Sequence, residues 1–187
     1  MYMTIRYLIF FILITWSIPA FAFGDQASNG VPSDPHAILF VGDIMLGRSV
    51  ETRMKEHGAG YPFSDVKDFF KVHSTVVANL EGPIRSKHIQ TPTGSMHFSF
   101  LPSVAKLLKD NGVTHVTLAN NHTHDEGTAG LKETRDYLVK AGVKFFGDPT
   151  TFSDAFSTTV DGDNVLLGLH ATRGMPCLLY TSPSPRD

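Results

Sequence analysis

The sequence predicts an α/β protein with a largely parallel sheet and helices on both of its faces. Apolar segments rich in β-branched residues alternate with helix-forming segments along the chain. Continuous apolar runs of this kind are typical of parallel strands buried on both sides. Polar clusters follow three of these strands, at the edge where such sheets bind ligands. With 187 residues, 42% of them hydrophobic, the chain can form one domain with a substantial core.

The predicted elements alternate in order from the N-terminal side. Residues 37–41 form an apolar strand that Gly42 ends, and residues 75–80 form the second strand. Between them we expect a helix over residues 49–57 and a second helix that Ser64 caps. The later elements are a helix from Pro102, a strand over residues 113–119, a helix over residues 128–141 that ends at Gly142, and short strands over residues 143–146 and 165–169.

The N-terminal segment reads as a signal peptide over residues 1–22. Arg6 precedes an apolar run over residues 7–18, and Pro19 is followed by an Ala-x-Ala cleavage signature that ends at Ala22. We expect cleavage after Ala22 and export to the periplasm or the extracellular space; the alternative is an uncleaved membrane anchor. Residues 23–36 are a polar spacer, and the domain covers residues 37–176.

The last eleven residues, 177–187, lack periodicity and resemble a translated sequencing-library adapter. We therefore expect an artefactual tail and a truncated domain; the alternative is a disordered Pro/Ser tail.

Composition excludes other classes of protein. A net charge of −2 without a basic run predicts no nucleic-acid partner. The single cysteine, Cys177, excludes an internal disulfide and a thiolate-rich metal site.

The candidate site residues lie just past three strands. Asp43 and Glu81 place carboxylate oxygens, which hard divalent cations prefer, at strand ends. Residues 118–127 (LANNHTHDEG) concentrate amides, histidines and acids after the third strand. An amide oxygen can bind a metal, and an imidazole oriented by a carboxylate can donate a proton. The alternatives are ordinary turns, with Asp125 or Thr128 as a helix cap.

Three segments together resemble the CapA family of capsule (poly-γ-glutamate) synthesis proteins. They are residues 42–48 (GDIMLGR), 79–83 (NLEGP) and 118–127, and residues 98–102 and 130–142 are also similar to that family. The resemblance implies a calcineurin-like metallophosphoesterase sandwich of sheets flanked by helices, of which this chain carries the N-terminal part.

The resemblance also implies two divalent metal ions (Mn, Fe, Zn or Mg) and metal-activated water that attacks a phosphoester. The roles that it implies are metal ligands Asp43, Glu81 and Asn121, catalytic residues His122 and Asp125, and substrate contacts Arg48 and Asn120. Members of the family carry further histidine motifs downstream, which this sequence does not contain. We therefore expect about half of the ligand set, and an inactive fragment. His97 is a further candidate for lining the cleft, His170 is a candidate metal ligand, and His115 is a candidate core or cross-strand residue.

Two functions remain open from the sequence. The first is an exported metal-dependent phosphoesterase, with amide or peptidoglycan hydrolysis as a related reaction on the same metal chemistry. The second is a non-catalytic protein that binds or exports an anionic capsule polymer. Expected partners are that polymer or a phosphoester substrate, and the membrane-bound capsule synthesis machinery.

Overall fold

The computed structural model describes residues 37–147, 157–160, 164–168 and 170 of the chain. The predicted signal peptide, the spacer and the adapter-like tail lie outside these residues. Among the described residues, no helix has the length and apolar character needed to cross a membrane.

The centre of the fold is a four-stranded sheet in which every neighbouring pair is parallel. The strands stand in sequence order, so each crossover moves one position along the sheet. Its members are β1 (Ile38–Ile44), β2 (Thr75–Leu80), β3 (His115–Thr117) and β4 (Lys144–Phe146). The parallel α/β fold class is confirmed.

Helices fill each crossover between these strands. The element order is β1, α1 (Arg48–His57), a 3₁₀ turn (Tyr61–Phe63), α2 (Lys67–Lys71), β2, α3 (Ser103–Asp110), β3, α4 (Gly127–Ala141) and β4. The predicted end of α4 is confirmed, since Gly142 takes a left-handed φ of 71° and its N–H bonds to the last helical carbonyls. The predicted Ser64 cap is wrong. Ser64 instead donates its hydroxyl to the Tyr61 carbonyl, and the helix begins at Lys67.

Strand β1 extends further than predicted and carries Asp43 within it. The expected stop at Gly42 is wrong, because the strand continues to Ile44 after a register shift between Phe40 and Asp43. After the shift, Asp43 pairs with Asn79 and Ile44 pairs with Leu80. The register therefore places Asp43 beside the end of β2.

The main core lies between one face of the sheet and the helices. In β2, Val76, Ala78 and Leu80 point to this face, and Val77 points to the other. Every described α-helix contributes to the main cluster, through Met54, Phe70, Val104, Ala105, Leu108, Leu131 and Leu138.

The opposite face packs against a second sheet. Val77 and Phe146 form a small cluster with Leu166, which belongs to an antiparallel pair, β5 (Ser157–Val160) and β6 (Asn164–Leu167). The expectation of helices on both faces is therefore wrong for the described residues. Right-handed crossovers between strands in sequential order place all the helices on one side. Two sheets with helices outside one of them agree with the expected sandwich.

Candidate active site

The carboxyl edge of the sheet brings two carboxylates to one amide. The side-chain nitrogen of Asn79 donates to Asp43 Oδ1 at 2.8 Å and to Glu81 Oε2. The parallel register causes this convergence, since Asp43 and Asn79 are paired across β1 and β2. Asn79 therefore holds the side chains of β1 and of the segment after β2 together.

The orientation of the Asn79 amide is fixed by the turn that follows β3. Asn120 Oδ1 accepts from the backbone N–H of His122 at 3.0 Å and from the Thr123 hydroxyl at 3.1 Å. Its nitrogen must then be the donor, and it donates to Asn79 Oδ1 at 2.8 Å and to the Leu80 carbonyl at 2.9 Å. Asn79 can consequently present only its NH₂ group to the carboxylates.

His122 stands between two acids. Its Nδ1 lies 2.8 Å from Asp125 Oδ2, and its Nε2 lies 3.9 Å from Glu81 Oε1. Because an ionised Asp125 can only accept, Nδ1 carries a hydrogen and donates it. Nε2 is then the nitrogen that gains or releases a proton, and it faces Glu81. The imidazole is almost fully buried, so its orientation is well constrained.

Phe98 packs over this histidine. The two rings stack with their centroids 4.0 Å apart and an interplanar angle of 29°. The backbone N–H of Phe98 donates to Asp125 Oδ2 at 2.6 Å, the same oxygen that accepts from His122. The Arg48 guanidinium lies 4.6 Å from the centroid of the Phe98 ring. Since one ring face holds one planar group, Arg48 and His122 occupy opposite faces.

The electrostatics of Glu81 reflect this crowding. Burial raises the pKa of the Glu81 carboxyl above its ordinary value, and the negative charge of Asp43 raises it further. The positive charge of His122, the hydrogen bond from Asn79 and the charge of His170 act in the opposite direction on this pKa. His170 therefore lies close enough to Glu81 to affect it. A pair of acids with an unfavourable mutual interaction is a favourable place for a cation.

The donor chemistry suits a hard divalent metal, but the number of ligands is small. Carboxylate and amide oxygens are the groups that such ions prefer. Over residues 37–147, 157–160, 164–168 and 170, however, no group of three or more His, Cys, Asp or Glu side chains is placed to hold an ion. The described residues thus supply the types of ligand that a hard divalent metal prefers, but too few of them to form a complete metal site.

The structure brings together most of the residues that the sequence predicts for the site. Asp43, Glu81, Asn120, His122 and Asp125 form one connected network. Asn121 is exposed on the turn. Arg48 lies beyond Phe98, with one guanidinium nitrogen donating to the Ser95 carbonyl and its Nε buried without a partner among the described residues.

Two residues of the network were not singled out from the sequence. Asn79 is an internal strand residue in the sequence pattern, and only its register opposite Asp43 reveals its contacts. Phe98 lies in residues 98–102, a segment similar to the CapA family, but the sequence gives no periodic signal that places its ring over His122. His97 lies outside the network and pairs with Glu126 at 2.9 Å. His115 is a buried strand residue, as expected.

Comparison with known proteins gives a family match and several relatives. The family described as "Bacterial capsule synthesis protein PGA_cap" matches residues 37–173. The chain is 34% identical over 117 residues to the "PGA biosynthesis protein CapA" of Bacillus subtilis (strain 168), covering 62% of this chain and 31% of that protein. It is 33% identical over 120 residues to the "Capsule biosynthesis protein CapA" of Bacillus anthracis, covering 63% of this chain and 29% of that protein.

A third relative is the "Uncharacterized protein y4sH" of Sinorhizobium fredii (strain NBRC 101917 / NGR234), 30% identical over 125 residues, which cover 64% of this chain and 26% of that protein. The chain thus spans about a third or less of the length of the curated relatives that it matches. The family match extends from the start of β1 through the whole described domain, including every residue of the hydrogen-bonded network. The chain belongs to the bacterial capsule synthesis protein family PGA_cap.

Proposed function

We propose that this domain carries part of a metal-dependent phosphoesterase-type site in an exported capsule biosynthesis protein. The observation that carries the proposal is His122, whose Nδ1 is held by Asp125 while Nε2 faces Glu81. A histidine fixed through one nitrogen, with the other directed toward a carboxylate pair, has the arrangement of a general acid beside a cation site.

The proposed ligands are Asp43, Glu81 and Asn121. Two divalent ions (Mn, Fe, Zn or Mg), when bound, would supply Lewis acidity and water of lowered pKa. The raised pKa of Glu81, caused first by burial and then by Asp43, favours a cation between these acids.

The remaining residues act on the proton and on the substrate. His122 gives the proton at Nε2 to a leaving oxygen, and Asp125 keeps the ring in the orientation that directs Nε2 to the site. The Arg48 guanidinium lies 4.6 Å from the centroid of Phe98, the ring that covers His122, and its positive charge favours an anionic substrate near this site. Asn120 already uses both amide hydrogens and two acceptor positions within the protein, which favours a role in holding the turn beside the substrate.

The test is hydrolysis of a model phosphodiester by the full-length protein with added Mn²⁺. We expect Asp43→Ala to lower kcat/KM by at least about 100-fold, since ligand loss removes the metal's contribution to the transition state. The control is Asp68→Ala, an exposed acid in the first turn of α2, which should retain wild-type turnover. Equal turnover in wild type and Asp43→Ala would contradict the proposal.

A second candidate function is binding of an anionic capsule polymer without catalysis. A groove of about 480 Å³ lies between α3 and α4, lined by Lys106, Lys109, Lys140, Tyr137 and one acid, Asp110. Lys106 is paired with Asp110 at 2.6 Å. The other two lysines, Lys109 and Lys140, and the Tyr137 ring suit a polycarboxylate such as poly-γ-glutamate. Polymer binding that survives Asp43→Ala but is lost when the three lysines become glutamine, with no phosphoester turnover, would favour this function over hydrolysis.

Export and association with the membrane-bound capsule machinery belong to the same proposal. An apolar run that ends in Ala-x-Ala at Ala22 supports export. Fractionation of cells that express the chain tests this part. A mature protein that begins at Phe23 supports cleavage, and retention in the membrane with Met1 intact supports the anchor.

A further inference from the structure

A second chain of hydrogen bonds between buried polar side chains lies next to the site. Its residues have no role in the proposed function. Ser99 Oγ is 2.9 Å from His88 Nδ1, and His88 Nε2 is 3.0 Å from Glu51 Oε2. Lys55 completes the chain through a 2.7 Å ion pair to Glu51 Oε1. The side chains of His88 and Glu51 are 5% and 3% exposed, and Ser99 is 4% exposed.

The protonation of this chain follows from its partners. An ionised Glu51 can only accept, so His88 donates from Nε2. The Ser99 hydroxyl, which can donate or accept, contacts Nδ1 in either protonation state of the ring. The order resembles that of a serine hydrolase triad, but all three side chains are almost completely enclosed, so a substrate cannot reach Ser99. A structural role is the consistent interpretation.

The chain connects helix α1 to the segment that carries Phe98. Residues 85–99 form a loop whose two ends are joined by bonds from Arg85 N–H to the Phe100 carbonyl (2.9 Å) and from Phe100 N–H to the Pro83 carbonyl (2.8 Å). Within this loop, His88 and Ser99 are eleven residues apart and are linked through their side chains. Glu51, on α1, fixes this pair to the helical layer.

Stability alone does not account for such a chain. A buried carboxylate with its hydrogen-bond partner is often no more stabilising than apolar side chains of the same volume, because the charge loses its hydration. A chain of directional hydrogen bonds, in contrast, allows one position of the loop. The residue adjacent to Ser99 is Phe98, whose ring covers His122 and whose N–H holds Asp125.

We propose that His88 is a positioning residue that acts through Ser99 and Phe98 on the orientation of His122. The inference rests on the proposed function only for its effect on turnover. Its structural part, that the His122 ring is held by the Glu51–His88–Ser99 chain, is independent of any reaction.

The test compares His88→Leu with His88→Gln in the full chain. Glutamine retains an acceptor and a donor, whereas leucine removes both. The readout is the proton NMR signals of the His122 ring, which the stacked Phe98 shifts upfield, recorded without metal or substrate. We expect His88→Leu to lose this upfield shift and His88→Gln to retain it. The control is His73→Leu, since the hydrogen bond and ring contact of His73 both go to Phe69.

Ser99→Ala provides a milder variant that leaves the His88–Glu51 pair intact, for use if His88→Leu does not fold. It should give a smaller loss of the same shift. Unchanged His122 signals in folded His88→Leu or Ser99→Ala would overturn the proposal.

A separate assay of turnover distinguishes this inference from the proposed function. With an active full-length protein, His88→Leu should lower kcat by about ten- to a hundred-fold with little change in KM, because a displaced acid affects the transition state more than binding. If wild type has no phosphoesterase turnover but the His122 signals respond as expected, the proposed function fails and the positioning inference stands.

Discussion

Asn79→Leu isolates the amide that holds the two site carboxylates together. Leucine has the same number and branching of side-chain heavy atoms as asparagine, so the substitution removes hydrogen bonds without creating a cavity. Three bonds are lost: those to Asp43 and Glu81, and the one from Asn120 at 2.8 Å. The neutral bond contributes about 1 kcal/mol, and a bond to a charged group about 1.5–3 kcal/mol.

Solvent reduces the two charged contributions, because Asp43 is exposed and Glu81 and Asn79 are only partly buried. We therefore expect the free energy of unfolding at pH 7 to fall by about 2–4 kcal/mol.

The loss depends on pH. The Asn79 bond lowers the pKa of Glu81, so without it this already raised pKa rises further. A carboxyl whose pKa is raised in the folded state destabilises the fold once the pH exceeds the ordinary pKa of that carboxyl. The penalty is absent at lower pH, where the carboxyl is protonated in both the folded and the unfolded state.

The assay is urea unfolding at pH 7 and pH 4 in the presence of a chelator. We expect the loss caused by Asn79→Leu to be larger at pH 7. The matched control is Asn111→Leu, since Asn111 is also an amide and its side-chain nitrogen donates to the neutral Leu107 carbonyl at 2.8 Å. It should cost about 1 kcal/mol at either pH. A loss in Asn79→Leu that is equal at the two pH values, or no larger than that of the control, would refute the reasoning.

The other predictions concern the two groups with perturbed pKa values. Glu81→Gln should raise the stability of the metal-free protein at pH 7, because it removes the buried charge and its repulsion with Asp43, and the gain should disappear near pH 4. Burial, followed by the charges of Lys144 and Lys109, lowers the pKa of His115 from 6.5 to about 4. A histidine with a lowered pKa contributes stability to the fold above pH 6.5. This contribution is lost as pH falls toward 4, and the free energy of unfolding then decreases by about 3 kcal/mol. His115→Leu should therefore flatten this part of the stability curve, measured by thermal unfolding from pH 7 to pH 4. A curve as steep as that of wild type would contradict the assignment.

The sheet and the polar residues at its carboxyl edge could be predicted because they depend on local patterns. Apolar runs at residues 37–41 and 75–80 indicate buried strands, and consecutive parallel strands bring their carboxyl ends together. The convergence of Asp43 and Glu81 follows from that topology. The network around His122 could also be predicted from the sequence, since Asn120, His122 and Asp125 lie within a six-residue segment.

The remaining features depend on contacts between distant segments. Glu51 reads as an exposed helix residue, yet it is buried because His88, 37 residues away, supplies a partner. Phe98 reaches His122 only through a loop without periodicity. Strand β5 escaped prediction because Ser-Thr-Thr-Val has no apolar run, and its pairing with β6 defines it.

We propose that the acids at this edge of the sheet bind metal for hydrolysis. Calorimetric titration of Mn²⁺ into the metal-free full-length protein is a direct test. We expect saturable binding of two ions in wild type and loss of at least one in Asp43→Ala, with Asp68→Ala unchanged. Absence of Mn²⁺ binding, or equal binding in wild type and Asp43→Ala, would contradict it.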